Sequence, residues 1–118
     1  MKINKTIKKI IEGNPVAFAT VDKNNKPNVI AVASVKVEDS KIIITDNYMS
    51  KTRSNLLKNS SICLAVWNKS WKGYKITGKA SYHDSGIWLN FVKSMKENRG
   101  YPAKGAIVIN IKQIIKLG

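Results

Sequence analysis

The sequence predicts a mainly β protein, a six-stranded, mostly antiparallel barrel with about three flanking helices. Short stretches of two-residue hydrophobic alternation, separated by turn residues, mark the strands. Two hairpins in succession near the start imply an antiparallel meander. Six strands in a chain of 118 residues must close, or nearly close, to hide their edges. A chain of this length reads as one domain, 1–118, able to bury a modest core without disulfides or a structural metal.

Taken in order, Ile3, Ile7, Ile10 and Ile11 form one stripe of an amphipathic helix over 4–12, and Gly13-Asn14-Pro15 stops it. Residues 16–22 follow as a strand with Val16, Phe18 and Thr20 on one face, and 23–27 is a turn. A second strand is expected over 28–37, a turn at Glu38-Asp39-Ser40, and a third strand over 41–46 with Ile42-Ile43-Ile44 unbroken. The period changes at Ser50, so that 50–59 reads as a short helix with Ser50 as N-cap. Strand alternation returns over 61–68 and is cleanest over 74–83. Asp84 is expected to cap a helix striped by Trp88, Phe91, Val92 and Met95, which 98–102 ends. The last strand, 106–112, places Ile107, Ile109 and Ile111 together, with Ile114-Ile115 as a short extension.

Twenty-one Lys+Arg against seven Asp+Glu give a formal net charge of +14. Such an excess invites a polyanionic partner. Yet the lysines fall singly or in pairs along the whole chain, and only Arg53 and Arg99 carry the guanidinium that base-edge and bidentate phosphate recognition favour. A solvated basic surface is therefore expected, with nucleic acid an unlikely partner. One cysteine and one histidine exclude a disulfide framework and a Cys/His zinc site. Cys63 is expected as a buried, inert thiol and His83 as an exposed side chain. The acids are scattered and no local signature suggests a Ser/His/Asp arrangement, so catalysis by the chain's own side chains is unpromising. No apolar run approaches the ~18 residues of a membrane span. Lysines interrupt the apolar residues of 1–13, which leaves no signal-peptide core, and a cytoplasmic protein is expected.

The informative segment is 46–52, which runs from a strand end through a loop into a helix start. Free backbone N–H groups and the helix dipole favour an anion there. Lys51 adds a full charge, and the hydroxyls of Ser50 and Thr52 can donate hydrogen bonds. These are the ingredients of a phosphate cradle and equally of a plainly capped helix. The lack of a Gly-rich Walker loop disfavours a nucleoside triphosphate. In the neighbouring second strand, Ala31, Ala33 and Ser34 are small enough to let a flat ligand approach the backbone, and also suit a packed hairpin.

The order of motifs resembles a known family. Phe18-Ala19-Thr20-Val21-Asp22, Lys26-Pro27-Asn28-Val29, Ile44-Thr45-Asp46-Asn47 and Lys51-Thr52-Arg53-Ser54-Asn55-Leu56 come first, then Leu64-Ala65-Val66-Trp67 and Gly73-Tyr74-Lys75-Ile76-Thr77-Gly78. Over nearly its whole length the chain is similar to the FMN-binding split-barrel flavoproteins, the pyridoxamine 5′-phosphate oxidase-like group, especially its minimal single-domain members. The resemblance implies a split β-barrel and a homodimer with FMN at the subunit interface. It makes Lys51 and Thr52 phosphate ligands and sets Val32, Ala33, Ser34 and Val35 along the flavin. Asp46, Asn47 and Tyr48 would border the ring, partly through main-chain groups. Trp67, Trp71 and Tyr74 would belong to the partner subunit's wall, with ordinary core or interface packing as the alternative. The implied activity is that of a redox protein or FMN-dependent oxidoreductase served by a nicotinamide or protein electron donor. The alternatives are a flavin-carrying electron-transfer or storage protein without a small-molecule substrate, and a basic nucleic-acid-binding β-barrel. The short chain and its two arginines speak against the second phosphate grip of true pyridoxamine phosphate oxidases. Heme-degrading and coenzyme-F420-dependent relatives share the fold, which by itself fixes neither cofactor nor reaction.

Overall fold

The first helix, α1 (Lys5–Gly13), starts where the Asn4 side chain accepts a hydrogen bond from the Ile7 N–H at 2.9 Å. Its Ile7, Ile10 and Ile11 are buried against the barrel. The structure, a computed structural model, describes residues 3–117, so Met1, Lys2 and Gly118 of the expected domain lie outside the described residues.

Seven strands follow: β1 (Val16–Val21), β2 (Pro27–Val32), β3 (Val35–Glu38), β4 (Lys41–Asp46), β5 (Ser61–Trp67), β6 (Gly73–His83) and β7 (Gly105–Leu117). They form one sheet in the order β2-β1-β5-β6-β7-β4-β3. Every neighbouring pair is antiparallel. Seven strands rather than six arise because the expected strand over 28–37 is two. At Ala33-Ser34 the chain leaves its partner β1 and turns to β4. The Val35 N–H donates back to the Ala33 carbonyl, and the Thr45 N–H donates to the Ser34 carbonyl, both at 3.2 Å. Apolar residues run straight across this break, so alternation alone conceals it. The break also determines the architecture. β2 and β3 stand at opposite ends of the sheet yet are only two residues apart in sequence, so the sheet curls until its ends meet at Ala33-Ser34.

Two cores form on opposite faces of this curled sheet. The interior holds Phe18, Leu64, Val66, Ile76, Ile107 and Ile109, plugged by the α1 isoleucines. The second core lies outside, where α3 (Gly86–Lys93) lays Leu89 and Val92 over Ile43, Ala106 and Val108. β4 is thus buried on both faces, which is why Ile42-Ile43-Ile44 is unbroken. β6 and β7 slip by one residue at Thr77/Gly78, where Lys112 is left without a partner. That bulge carries β7 through the expected extension as one strand, and shifts the core-packed positions from Ile107, Ile109 and Ile111 to Ile114.

The helix ends differ in detail from expectation. α2 (Lys51–Lys58) has Ser50 at its N-cap, but the hydroxyl makes no cap bond; Asp46 Oδ1 instead accepts the Met49 N–H at 2.8 Å. α3 is preceded by Ser85 rather than Asp84, because Gly86 takes a left-handed φ of 85° and delays the helix by a residue. It ends at Ser94, whose hydroxyl donates to the Phe91 carbonyl at 2.7 Å, and Met95 leads into a short 3-10 turn, Lys96–Asn98. Cys63 is half-buried on the outward side of β5 rather than buried. His83, also half-buried rather than exposed, has Nε2 2.8 Å from Ser81 Oγ.

Candidate functional site

A cleft of about 620 Å³ opens where β2, the loop after β4, the start of α2 and the 3-10 turn converge. Its size lies within the ordinary range for small-molecule and cofactor sites. β2 forms one long wall through Asn28, Ile30, Ala31 and Val32, continued by Ala33 and Ser34. As an edge strand, β2 has no sheet neighbour on its outer side, so backbone donors and acceptors are open to a flat ligand.

One end of the cleft is cationic. Thr52, buried at the start of α2, has its Oγ1 3.3 Å from Asn28 Nδ2, which pins helix to strand. The N–H groups of Lys51, Thr52 and Arg53 precede the first bond of the helix, from Ser54 N–H to the Ser50 carbonyl at 3.0 Å. Lys51 is largely exposed, its Nζ 3.8 Å from Asp22 Oδ2. Asp22 terminates β1 and accepts the Asn24 and Lys26 N–H groups at 2.8 and 2.9 Å. The Lys26 N–H above all, with that of Asn24 and the charge of Lys51, holds its carboxyl below the usual range. A persistent carboxylate therefore restrains Lys51 at the mouth of the cleft.

The other end is organised by Asn98, which sequence reasoning placed only in the stop after the third helix. Its buried Nδ2 donates to Thr45 Oγ1 and the Val92 carbonyl, both at 2.8 Å. Its Oδ1 accepts from Ser34 Oγ at 3.1 Å and Asn47 Nδ2 at 3.2 Å. One amide thus joins the β2–β3 switch, the end of β4, α3 and the Asn47 loop. Beside it Glu97 faces the cleft, and the Lys36 ammonium at 3.1 Å holds its carboxyl below the ordinary range. From Asn28 to Val32 the β2 wall spans about 13 Å, so the ends are well separated.

Val32, Ala33, Ser34, Asn47, Tyr48, Lys51 and Thr52 are brought together on this cleft. Val35 and Asp46 are not among its lining residues. Val35 is packed in the barrel interior, and Asp46 is fully buried with Oδ1 on the Met49 N–H and Oδ2 accepting from the Tyr82 hydroxyl at 2.5 Å. The Asp46 side chain therefore shapes the loop from beneath instead of bordering the cavity. Burial first, then the Asp46 carboxylate, raises the Tyr82 hydroxyl above its ordinary pKa, so it remains a donor. Trp67, Trp71 and Tyr74 lie off the cleft of their own chain. Trp67 and Trp71 stack nearly parallel, with centroids 6.4 Å apart, at the exposed β5–β6 hairpin, while Tyr74 packs on the interior core. Asn28, Ile30, Thr45, Met49, Glu97 and Tyr101 line the cleft without having been singled out from sequence. Asn28 carried a signal, a polar residue at a strand start, whereas Glu97 and Tyr101 arrive from a distant turn and carried none. Among the described residues no buried side-chain nitrogen or oxygen lacks a partner, and no group of three or more His, Cys, Asp or Glu could hold a metal ion.

The comparisons with known proteins agree with this architecture. The family model described as pyridoxamine 5′-phosphate oxidase matches residues 3–118, and the chain belongs to this family of split-barrel proteins. It is 32% identical over 122 residues to an uncharacterized protein of Methanocaldococcus jannaschii, covering 99% of this chain and 82% of that one. The solved structure of HupZ from Group A Streptococcus superposes with a TM-score of 0.88 at 26% identity, covering 98% of this chain and 94% of that one. An FMN-binding protein of Syntrophomonas wolfei superposes with a TM-score of 0.77 at 20% identity, covering 95% and 84% of the two chains. The same fold recurs in an F420 reductase (TM-score 0.73, 16% identity, 96% and 98% covered) and in HutZ, the heme storage protein of Vibrio cholerae (0.74, 18%, 100% and 96%).

Proposed function

We propose that the cleft holds FMN and that the protein is a flavin-carrying redox protein. The observation that carries this reading is the pairing of a cationic helix start, Lys51 and Thr52, with a wall of small residues along an edge strand. Lys51 and the first N–H groups of α2 would hold the phosphate, and Thr52, fixed by Asn28, would donate its hydroxyl. Ala31, Ala33 and Ser34 leave room for a planar ring against the β2 backbone, and Asn47, oriented by Asn98 and by the Pro102 carbonyl at 2.7 Å, presents an amide at its rim. Bound FMN supplies hydride or single-electron transfer, chemistry the side chains lack. The donor would be a nicotinamide or a redox protein, as an oxidoreductase or as an electron carrier without its own substrate.

The same reading makes the protein a homodimer. The outward side of β2-β1-β5 carries Val29, Ala31, Ala17, Ala19, Cys63 and Ala65 in register, bounded by exposed Trp67. An exposed apolar sheet face of this kind suits burial against a second copy. Freshly purified protein is expected to be yellow, with the two visible absorption bands of flavin, or to become so on adding FMN. Lys51→Ala is expected to weaken FMN roughly tenfold or more, as loss of a charge-assisted hydrogen bond implies. A colourless protein that does not bind added FMN would overturn the reading.

A further inference from the structure

A second depression, of about 300 Å³, adjoins the cationic end of the cleft and shares Met49 and Ser50 with it. Beyond these it is lined by Arg53, Ser54, Leu57 and Lys58. Positions 50, 53, 54, 57 and 58 make one stripe of α2, so the groove runs along the helix away from the phosphate end. Its length from Ser50 to Lys58 is about 12 Å at the α-helical rise. Two features separate this stripe from an ordinary solvated helix face. Leu57 is 63% exposed, an apolar surface without cover beside two cations. Arg53 is held in place, its guanidinium carbon 5.3 Å from the centre of the Tyr82 ring, and Tyr82 is itself anchored on Asp46. The segment Met49–Lys58 itself carries no acidic residue, and the carboxylate next to Arg53 is that of Asp46, engaged by the Tyr82 hydroxyl.

We infer that this groove is a second anion subsite, continuous with the cleft, that takes the second phosphate and the base of a dinucleotide. Ser50 and the helix start mark the junction between the two sites. Arg53, Ser54 and Lys58 bind a phosphate beyond the first, and Leu57 offers an apolar surface to the base. The protein then accommodates a ligand longer than a mononucleotide with its phosphate chain turned along α2. The dinucleotide reading rests on the FMN reading for its first phosphate, whereas the response of α2 to ADP tests the groove by itself.

The test compares FAD with FMN on the full chain and, separately, follows backbone amide shifts on adding ADP or adenosine. The expected result is FAD bound within about threefold of FMN or more tightly. Arg53→Gln combined with Lys58→Gln, substitutions that preserve helix propensity, should then weaken FAD about tenfold relative to FMN. ADP, but not adenosine, should shift the amides of Ser50, Arg53, Ser54 and Lys58 saturably, and the double variant should weaken that response by a similar factor. Amides of α2 that do not move with ADP, or that respond equally in the double variant, overturn the proposal. FAD tenfold weaker than FMN with a ratio the double variant leaves unmoved does so too. A protein that binds neither flavin yet responds to ADP along α2 refutes the FMN reading and supports the groove. Unchanged amide shifts of Ile62 and Leu64 in the barrel would show that the double variant is folded.

Discussion

On the proposed function Lys51 would be shared between two demands, the Asp22 carboxylate at 3.8 Å and the phosphate of FMN. Asp22→Asn would keep an oxygen for the Lys26 and Asn24 N–H groups while removing the competing charge. It is expected to tighten FMN about two- to threefold in a fluorescence titration, a modest gain because the pair is solvent-screened. Asn98 acts at the other end through structure. Asn98→Ala would strip hydrogen-bond partners from Thr45, Ser34 and the Val92 carbonyl, and is expected to cost about 1–3 kcal/mol in urea unfolding. Lys51 and Thr52 stood out in the sequence because a strand end, loop and helix start are local signals. Asp22 and Asn98 did not, since one reads as a strand end and the other as part of a helix stop until the fold shows what each touches.

Among the elements, the strands were legible and their partners were not. Alternation marks which side of a strand faces in, and it located β1, β4, β5 and β6 closely. It cannot mark where a strand changes neighbour, which is why β2 and β3 read as one. The β6–β7 bulge is a second such place. A Cβ on Gly78 would meet the Asn110 carbonyl of β7, so glycine is required by the close approach of two backbones. Gly78→Ala is expected to destabilise the protein by about 1–3 kcal/mol, read from the denaturation midpoint. The short helices follow the same division: their apolar stripes showed in sequence, whereas their caps were reset by Asp46 and Gly86.

For the whole molecule, the uncovered outer side of β2-β1-β5 joins the cleft-bearing strand to the proposed subunit contact. Ala65 lies on that side between Ala17 and Lys75, so a glutamate there has a cross-strand cation to pair with and the fold should tolerate it. Ala65→Glu is expected to convert a dimer to a monomer in sedimentation and to weaken FMN at least tenfold. A variant that stays dimeric would place the contact elsewhere. The amino-acid sequence by itself determined the strand-rich class, the split-barrel resemblance, the anion-attracting start of α2 and the excess of positive charge, because periodicity, capping and composition are local properties. Only the tertiary structure decided that β2 and β3 lie at opposite ends of one sheet, that Asp46 lies beneath the cleft and Glu97 on it, and that the α2 groove adjoins the cleft at Met49 and Ser50. Those facts depend on which distant residues the curling of the sheet brings within hydrogen-bond reach.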